Sequence, residues 1–120
     1  MTRRGFLSLP LLVLLACFGS PSLRAALAGF FEDRRSAASV GEEYLRLHPT
    51  EDDDAQLVRR LAGGREAEWE RLAASDPAAF RERVRARHRD DFAAGRTVAL
   101  RGWVLSETEA RLCALAARTV

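Results

Sequence analysis

The sequence has no lysine, a single methionine at its start, one tyrosine and two cysteines. All nineteen cationic side chains are arginine, and alanine is abundant. That mixture fits a GC-rich coding bias, so arginine content alone says little about phosphate binding. Several cofactor signatures are missing: Cys-x-x-Cys-His for haem, a glycine-rich nucleotide loop, and a cysteine cluster for iron and sulfur. Ser36, Ser39, Ser75 and Ser106 lack the glycine-elbow context of a nucleophile. His48 and His88 are the only histidines, which argues against a metal site. The acidic run Glu51 to Asp54 lacks the alternating spacing of a calcium loop and suits a helix start instead. No two carboxylates are singled out as an acid and base pair. A chain of 120 residues has room for one small core and none for a two-domain enzyme.

What is present begins at the N-terminus. Thr2-Arg3-Arg4-Gly5-Phe6-Leu7 resembles the twin-arginine export motif, with Ser8 where lysine often stands. Thr2, Arg3, Arg4, Phe6 and Leu7 carry the match. The apolar run from Leu7 to Phe18 is shorter than the roughly 20 residues of a membrane-spanning helix, and Pro10 interrupts it. Ala26 and Ala28 supply the small residues that signal peptidase needs. Residues 1–28 are therefore expected to be a cleavable twin-arginine-type signal peptide, with 29–120 as the working domain. The general secretion route accepts the same start. Leu14-Leu15-Ala16-Cys17 is a loose lipobox, which leaves lipidation at Cys17 open. Beyond residue 28 stand sixteen arginines against seventeen acids, a net charge of −1. That balance lacks the basic surplus of a nucleic-acid binder. Only Cys113 then remains, and one cysteine cannot close an internal disulfide. It reads as a small buried side chain on a helix, or as a link to a partner subunit.

The rest reads as mainly α: a small domain of about four to five short helices. Residues 29–38 look like a loose lead. Ser39 caps a helix over 39–47, with Val40, Tyr44 and Leu47 at helical spacing, and His48-Pro49 ends it. Thr50 opens the next helix, with Leu57, Val58 and Leu61 inward and Gly63-Gly64 as its stop. A third runs over 65–74 around Trp69. Asp76-Pro77 starts the strongest helix, in which Phe80, Val84, His88 and Phe92 recur every fourth residue before Gly95. Arginines interleaved with Glu82, Asp90 and Asp91 mark a solvated or partner-facing side. Near 98–105, two branched or aromatic runs flank Arg101-Gly102, as a short β-hairpin or an extended wrap. Ser106 and Glu109 form a capping box for the last helix. On that helix Ala110, Cys113, Ala114 and Ala117 make a narrow face that another helix can approach closely.

The block Asp91-Phe92-Ala93-Ala94-Gly95-Arg96 through Gly102-Trp103-Val104-Leu105-Ser106-Glu107-Thr108-Glu109-Ala110-Arg111-Leu112-Cys113-Ala114-Leu115 resembles a family. It is similar to the small subunits of membrane-bound, FAD-dependent sorbitol and fructose dehydrogenases, together with related short twin-arginine-signal proteins. The likeness covers the signal and roughly residues 80–115. Arg101 stands where many relatives carry aspartate. In that family the flavin belongs to a large subunit and a cytochrome c subunit carries haem, while the small subunit is non-catalytic. The resemblance implies that FAD and haem sit in partner subunits and none in this chain. It also singles out Trp103, Ser106, Glu109, Arg111 and Cys113 as contact or structural residues. The bland reading is that Trp103 plugs the core, Glu109 merely caps and Arg111 pairs locally.

The expected role is a non-catalytic accessory or escort subunit. It would support twin-arginine export, maturation and stability of a periplasmic flavoprotein dehydrogenase acting on a sugar or alcohol. Its partners would be the twin-arginine translocase and the larger subunit, with membrane association indirect and no nucleic acid. A separate argument leads the same way. Twin-arginine transport carries folded cargo, and a small chain with no cofactor to load has little reason to fold first unless it accompanies something larger. The alternative is a free-standing periplasmic or lipid-anchored helical protein. An enzyme in its own right is the reading with least support.

Overall fold

Caps and left-handed glycines divide the chain into its elements. The computed structural model describes residues 21–119. They are mainly helical, with one short antiparallel hairpin. In chain order they form α1 (Pro21–Ala28), α2 (Arg34–Leu47), a 3-10 turn (Pro49–Glu51), α3 (Asp54–Ala62), α4 (Glu66–Ser75), α5 (Pro77–Ala94), β1 (Thr97–Leu100), β2 (Trp103–Ser106) and α6 (Glu107–Thr119). Asp76 accepts the Ala79 amide at 3.2 Å with Pro77 at the first helical position, and Gly95 ends α5 at φ +75°. Both follow the sequence expectation.

Two starts differ. The Asp33 carboxylate accepts the Ser36 amide at 3.0 Å, so α2 begins at Arg34 rather than at Ser39. Only 29–33 is left outside regular structure in the stretch expected to be loose. Asp53, not Thr50, caps α3 through the Gln56 amide at 2.9 Å. Thr50 is taken up in the tight turn that Pro49 opens.

The hairpin pairs Leu100 with Trp103, Ala99 with Val104, Val98 with Leu105 and Thr97 with Ser106. Arg101 and Gly102 both take positive φ, +52° and +83°, the signature of a two-residue turn whose twist matches the strands. Glycine adopts this freely. Arg101 does not, and its guanidinium is tied to the Ser39 hydroxyl at 3.0 Å.

The core draws Tyr44, Leu57, Leu61, Trp69, Phe80, Val84, Leu100 and Leu115 into one cluster. Trp69 and Phe80 meet edge to face at 6.0 Å. Helices α2 and α6 pack along their lengths through small residues. Ala37 and Ala38 on one side and Ala110, Cys113 and Ala114 on the other are all buried. Between them Gly41 touches backbone: a Cβ there would lie 1.9 Å from the Cys113 carbonyl oxygen. Ala110, Cys113 and Ala114 of the narrow face read from the sequence are buried here; Ala117, the fourth, is only partly buried, while Ala116 is buried with Ala37 and Cys113.

The four-residue stripe on α5 fails at its far end. A step of four turns about 40° past a full revolution, so Phe92 points roughly 120° away from Phe80. It is half exposed, while Asp91, about 20° from the Phe80 direction, is fully buried.

Five of the described helices fall within residues 29–120, in line with the four to five expected there; α1 stands outside that range. Helix α1 lies in the stretch assigned to the signal peptide, yet it packs against α3, α4 and α6. Leu23, Leu27 and Ala28 are 1%, 0% and 2% exposed, inside the main core. Thr2, Arg3, Arg4, Phe6, Leu7 and Cys17 lie outside the described residues. Among the described residues no helix is long and apolar enough to cross a membrane.

Candidate docking surface at the hairpin

Helix α6 sets the position of the family-like residues, and its first turn is held from three directions. The Glu107 amide donates to the Arg96 carbonyl at 3.1 Å. The Thr108 amide donates to Asp91 Oδ2 at 2.7 Å, and the Glu109 amide to Ser106 Oγ at 2.9 Å. Asp91 reaches across from α5, and its other oxygen accepts Arg96 Nε at 2.9 Å. Burial alone would raise this carboxyl; the Thr108 and Arg96 hydrogen bonds outweigh it and hold it below the ordinary carboxylate range. An anion at a helix N-terminus is also favoured by the exposed amides there.

Ser106 is the cap the sequence indicated. The reciprocal arm of the box is absent: the Glu109 carboxylate makes no return bond to the Ser106 amide and lines a groove instead. Ser106 Oγ also lies 2.8 Å from His88 Nδ1, a pair the sequence did not suggest. Ser106 is fully buried and its oxygen also caps α6, so the pair holds α5 to the hairpin.

Arg111 turns to another side of α6. Its Nε donates to Glu51 Oε1 at 3.0 Å, and Tyr44 Oη donates to the same oxygen at 2.9 Å. The partner sixty residues away matters more than Glu107, one turn back at 3.5 Å. Burial disfavours the Glu51 charge, but the Arg111 and Tyr44 bonds more than offset it and lower its pKa. Desolvation pushes the Tyr44 hydroxyl up to about 12. Arg111 thus clamps α2, the 3-10 turn and α6, a structural part within this chain.

Trp103 does not plug the core. It is 73% exposed and its neighbour Val104 62%, while Leu100 across the ladder is buried. Next to them opens an apolar groove of about 330 Å³, lined by Phe31, Ala37, Val40, Leu105 and Cys113. Glu32, Asp33 and Glu109 stand on its walls. Leu105 belongs to both the strand and the groove; Trp103, two residues back, is on the same strand face as Leu105, and Val104 is on the other. Burial, with the Glu109 charge added, pushes the Cys113 thiol up to about 12, which keeps it protonated and unreactive near neutrality.

The structure therefore brings Leu105, Ser106, Glu109 and Cys113 together beside Trp103 and sends Arg111 elsewhere. Phe31 and Val40 join the surface unannounced. Alternation along β2 gives no sign of Val104's exposure, because Val104 shares a strand face with the buried Ser106. Among the described residues no group of three histidine, cysteine or carboxylate side chains is placed to hold a metal ion. No family model, curated protein or solved structure matches this chain.

Proposed function

We propose that the chain is a non-catalytic accessory subunit that escorts a larger, folded flavoprotein dehydrogenase through the twin-arginine route and stabilises it in the periplasm. The observation that carries this reading is the exposed Trp103, on the same strand face as the groove-lining Leu105. An exposed tryptophan on the strand face that leads through Leu105 to the groove, with acids on the groove walls, suits a protein partner. Trp103 falls inside the segment that resembles the dehydrogenase small subunits. The N-terminal Arg3-Arg4 motif and the missing cofactor signatures support the same reading: the address is one for folded cargo, and the cargo with something to load is the partner. FAD and haem would then sit in the companion subunits.

The test is recovery of the tagged full chain from the cell envelope. A large flavoprotein subunit is expected to come with it. Trp103→Ala should weaken that association at least tenfold, as expected for an aromatic anchor. Changing Arg3 and Arg4 to lysine should leave both proteins in the cytoplasm. A chain recovered alone, with the flavoprotein exported and active without it, overturns the proposal.

A further inference from the structure

We infer that Pro21–Ala28 is a permanent part of the folded domain, so any export leader ends before Pro21. This deepens the export reading by fixing where the leader stops, and it rests on that reading for the existence of a leader. The small residues Ala26 and Ala28 make a plausible cleavage signal in the sequence. In the fold they are the end of a core helix.

Three observations converge on α1. Leu23 and Leu27, one turn apart, are buried together with Ala28 in the main core. Cutting after Ala28 would strip them out and open to water the faces of α3, α4 and α6 against which the helix packs. The bond in question is also unsuited to a protease. The Gly29 amide donates to the Ala25 carbonyl at 3.0 Å and the Phe30 amide to the Leu27 carbonyl at 3.2 Å, so the chain is coiled there. Proteases take extended, accessible segments. A chain exported already folded would present this bond in its helical state. Finally, the helix is pinned at its rim. Arg24 pairs with Asp54 at 3.1 Å, and Asp54 is shared with Arg118 at the far end of α6. Just beyond, Arg81 lies 4.4 Å over the Phe30 ring. A disposable leader has no need of such ties. Of the two processing signals in the sequence, cleavage before Cys17 leaves the helix whole and cleavage after Ala28 destroys it.

Intact-mass and N-terminal analysis of the protein purified from the envelope decides the point. A first residue at Pro21 or earlier, including an unprocessed start or a lipidated Cys17, supports the inference. A first residue anywhere from 22 to 29 overturns it. A second measurement works wherever the protein resides. Leu27→Ala in the full chain should lower the melting midpoint of the purified protein by about 10 °C or more. Cleavage after Ala28 would instead yield identical mature chains and identical midpoints. If the variant does not accumulate, the mass of the wild-type protein still separates the two cleavage sites. Failure of the Arg3 and Arg4 substitutions to change location would remove the export reading and leave the midpoint comparison standing.

Discussion

Helix α1 and the hairpin tip are both short apolar segments, and the fold treats them in opposite ways. Leu23 and Leu27 sit at the centre of the core, although their neighbours read as a cleavage site. Trp103 and Val104 stand in solvent, although a lone large aromatic in a small domain reads as a core plug. Apolarity says that a side chain seeks cover, not where the cover comes from. For α1 it comes from three helices of this chain. For the hairpin tip nothing among the described residues supplies it, and the proposed partner would.

The contrast breaks most directly at Leu27. If α1 is core, Leu27→Ala should cost about 3 kcal/mol of unfolding free energy, from lost transfer energy plus the cavity left behind. Denaturant titration of the purified full chain reads this. A loss under about 0.5 kcal/mol would put α1 in the same class as the exposed hairpin tip. A second large effect belongs to the interface that stitches the core without bulky residues. Gly41→Ala puts a methyl against the Cys113 backbone, which has no rotamer to change. Helices α2 and α6 must separate, at a cost of about 2 kcal/mol after alanine's better helix propensity is counted. The same denaturant titration checks it, and an unchanged midpoint would mean that the two helices do not touch as described.

Much of this fold is local and therefore readable. Asp76-Pro77 and Gly95 delimit α5 because capping and left-handed stops need only neighbouring residues. Ser106 is legible as a cap, and Arg101-Gly102 as a reversal, for the same reason. The small face of α6 is legible by its spacing. What escaped depends on distant partners. The Asp91 carboxylate reads as one more charge on a solvated side, but it caps a helix sixteen residues further on. Glu51 reads as part of a helix-start run, yet its partner is Arg111. Helix α1 escaped for a different reason: alanine and leucine satisfy the rules of a cleavage site and those of a buried helix equally, and only the folded chain shows the helix packed in the core. The candidate surface was half legible. Trp103, Glu109 and Cys113 were singled out, while Phe31 and Val40 join it only when α2 folds against α6.

Acid should weaken the inner clamps of the molecule before it touches the hairpin tip. Asp91 and Glu51 both have pKa values below their ordinary 3.8 and 4.5 in the fold, so the folded state binds fewer protons than the unfolded one as pH drops through that range. Their contribution is complete above the ordinary values and is lost as pH falls toward the folded ones. Melting midpoints measured from pH 7 down to pH 3 should therefore decline below about pH 4.5, and Glu51→Gln with Asp91→Asn should flatten that part of the profile. An equally steep decline in the double variant would assign acid sensitivity to other carboxylates.

The smallest effect sharpens the comparison most. Trp103→Ala removes the most exposed of the large hydrophobic side chains among the described residues and should change stability by less than about 0.5 kcal/mol, because little of its area leaves water when the chain folds. Val104→Ala should behave alike. A loss near that of Leu27→Ala would mean that the indole packs on this chain in solution, and the docking surface would disappear with it. A near-silent stability change joined to lost co-purification is the combination that only a partner-facing residue produces. That result would separate the two apolar segments by function, with one holding the domain together and the other facing the proposed partner.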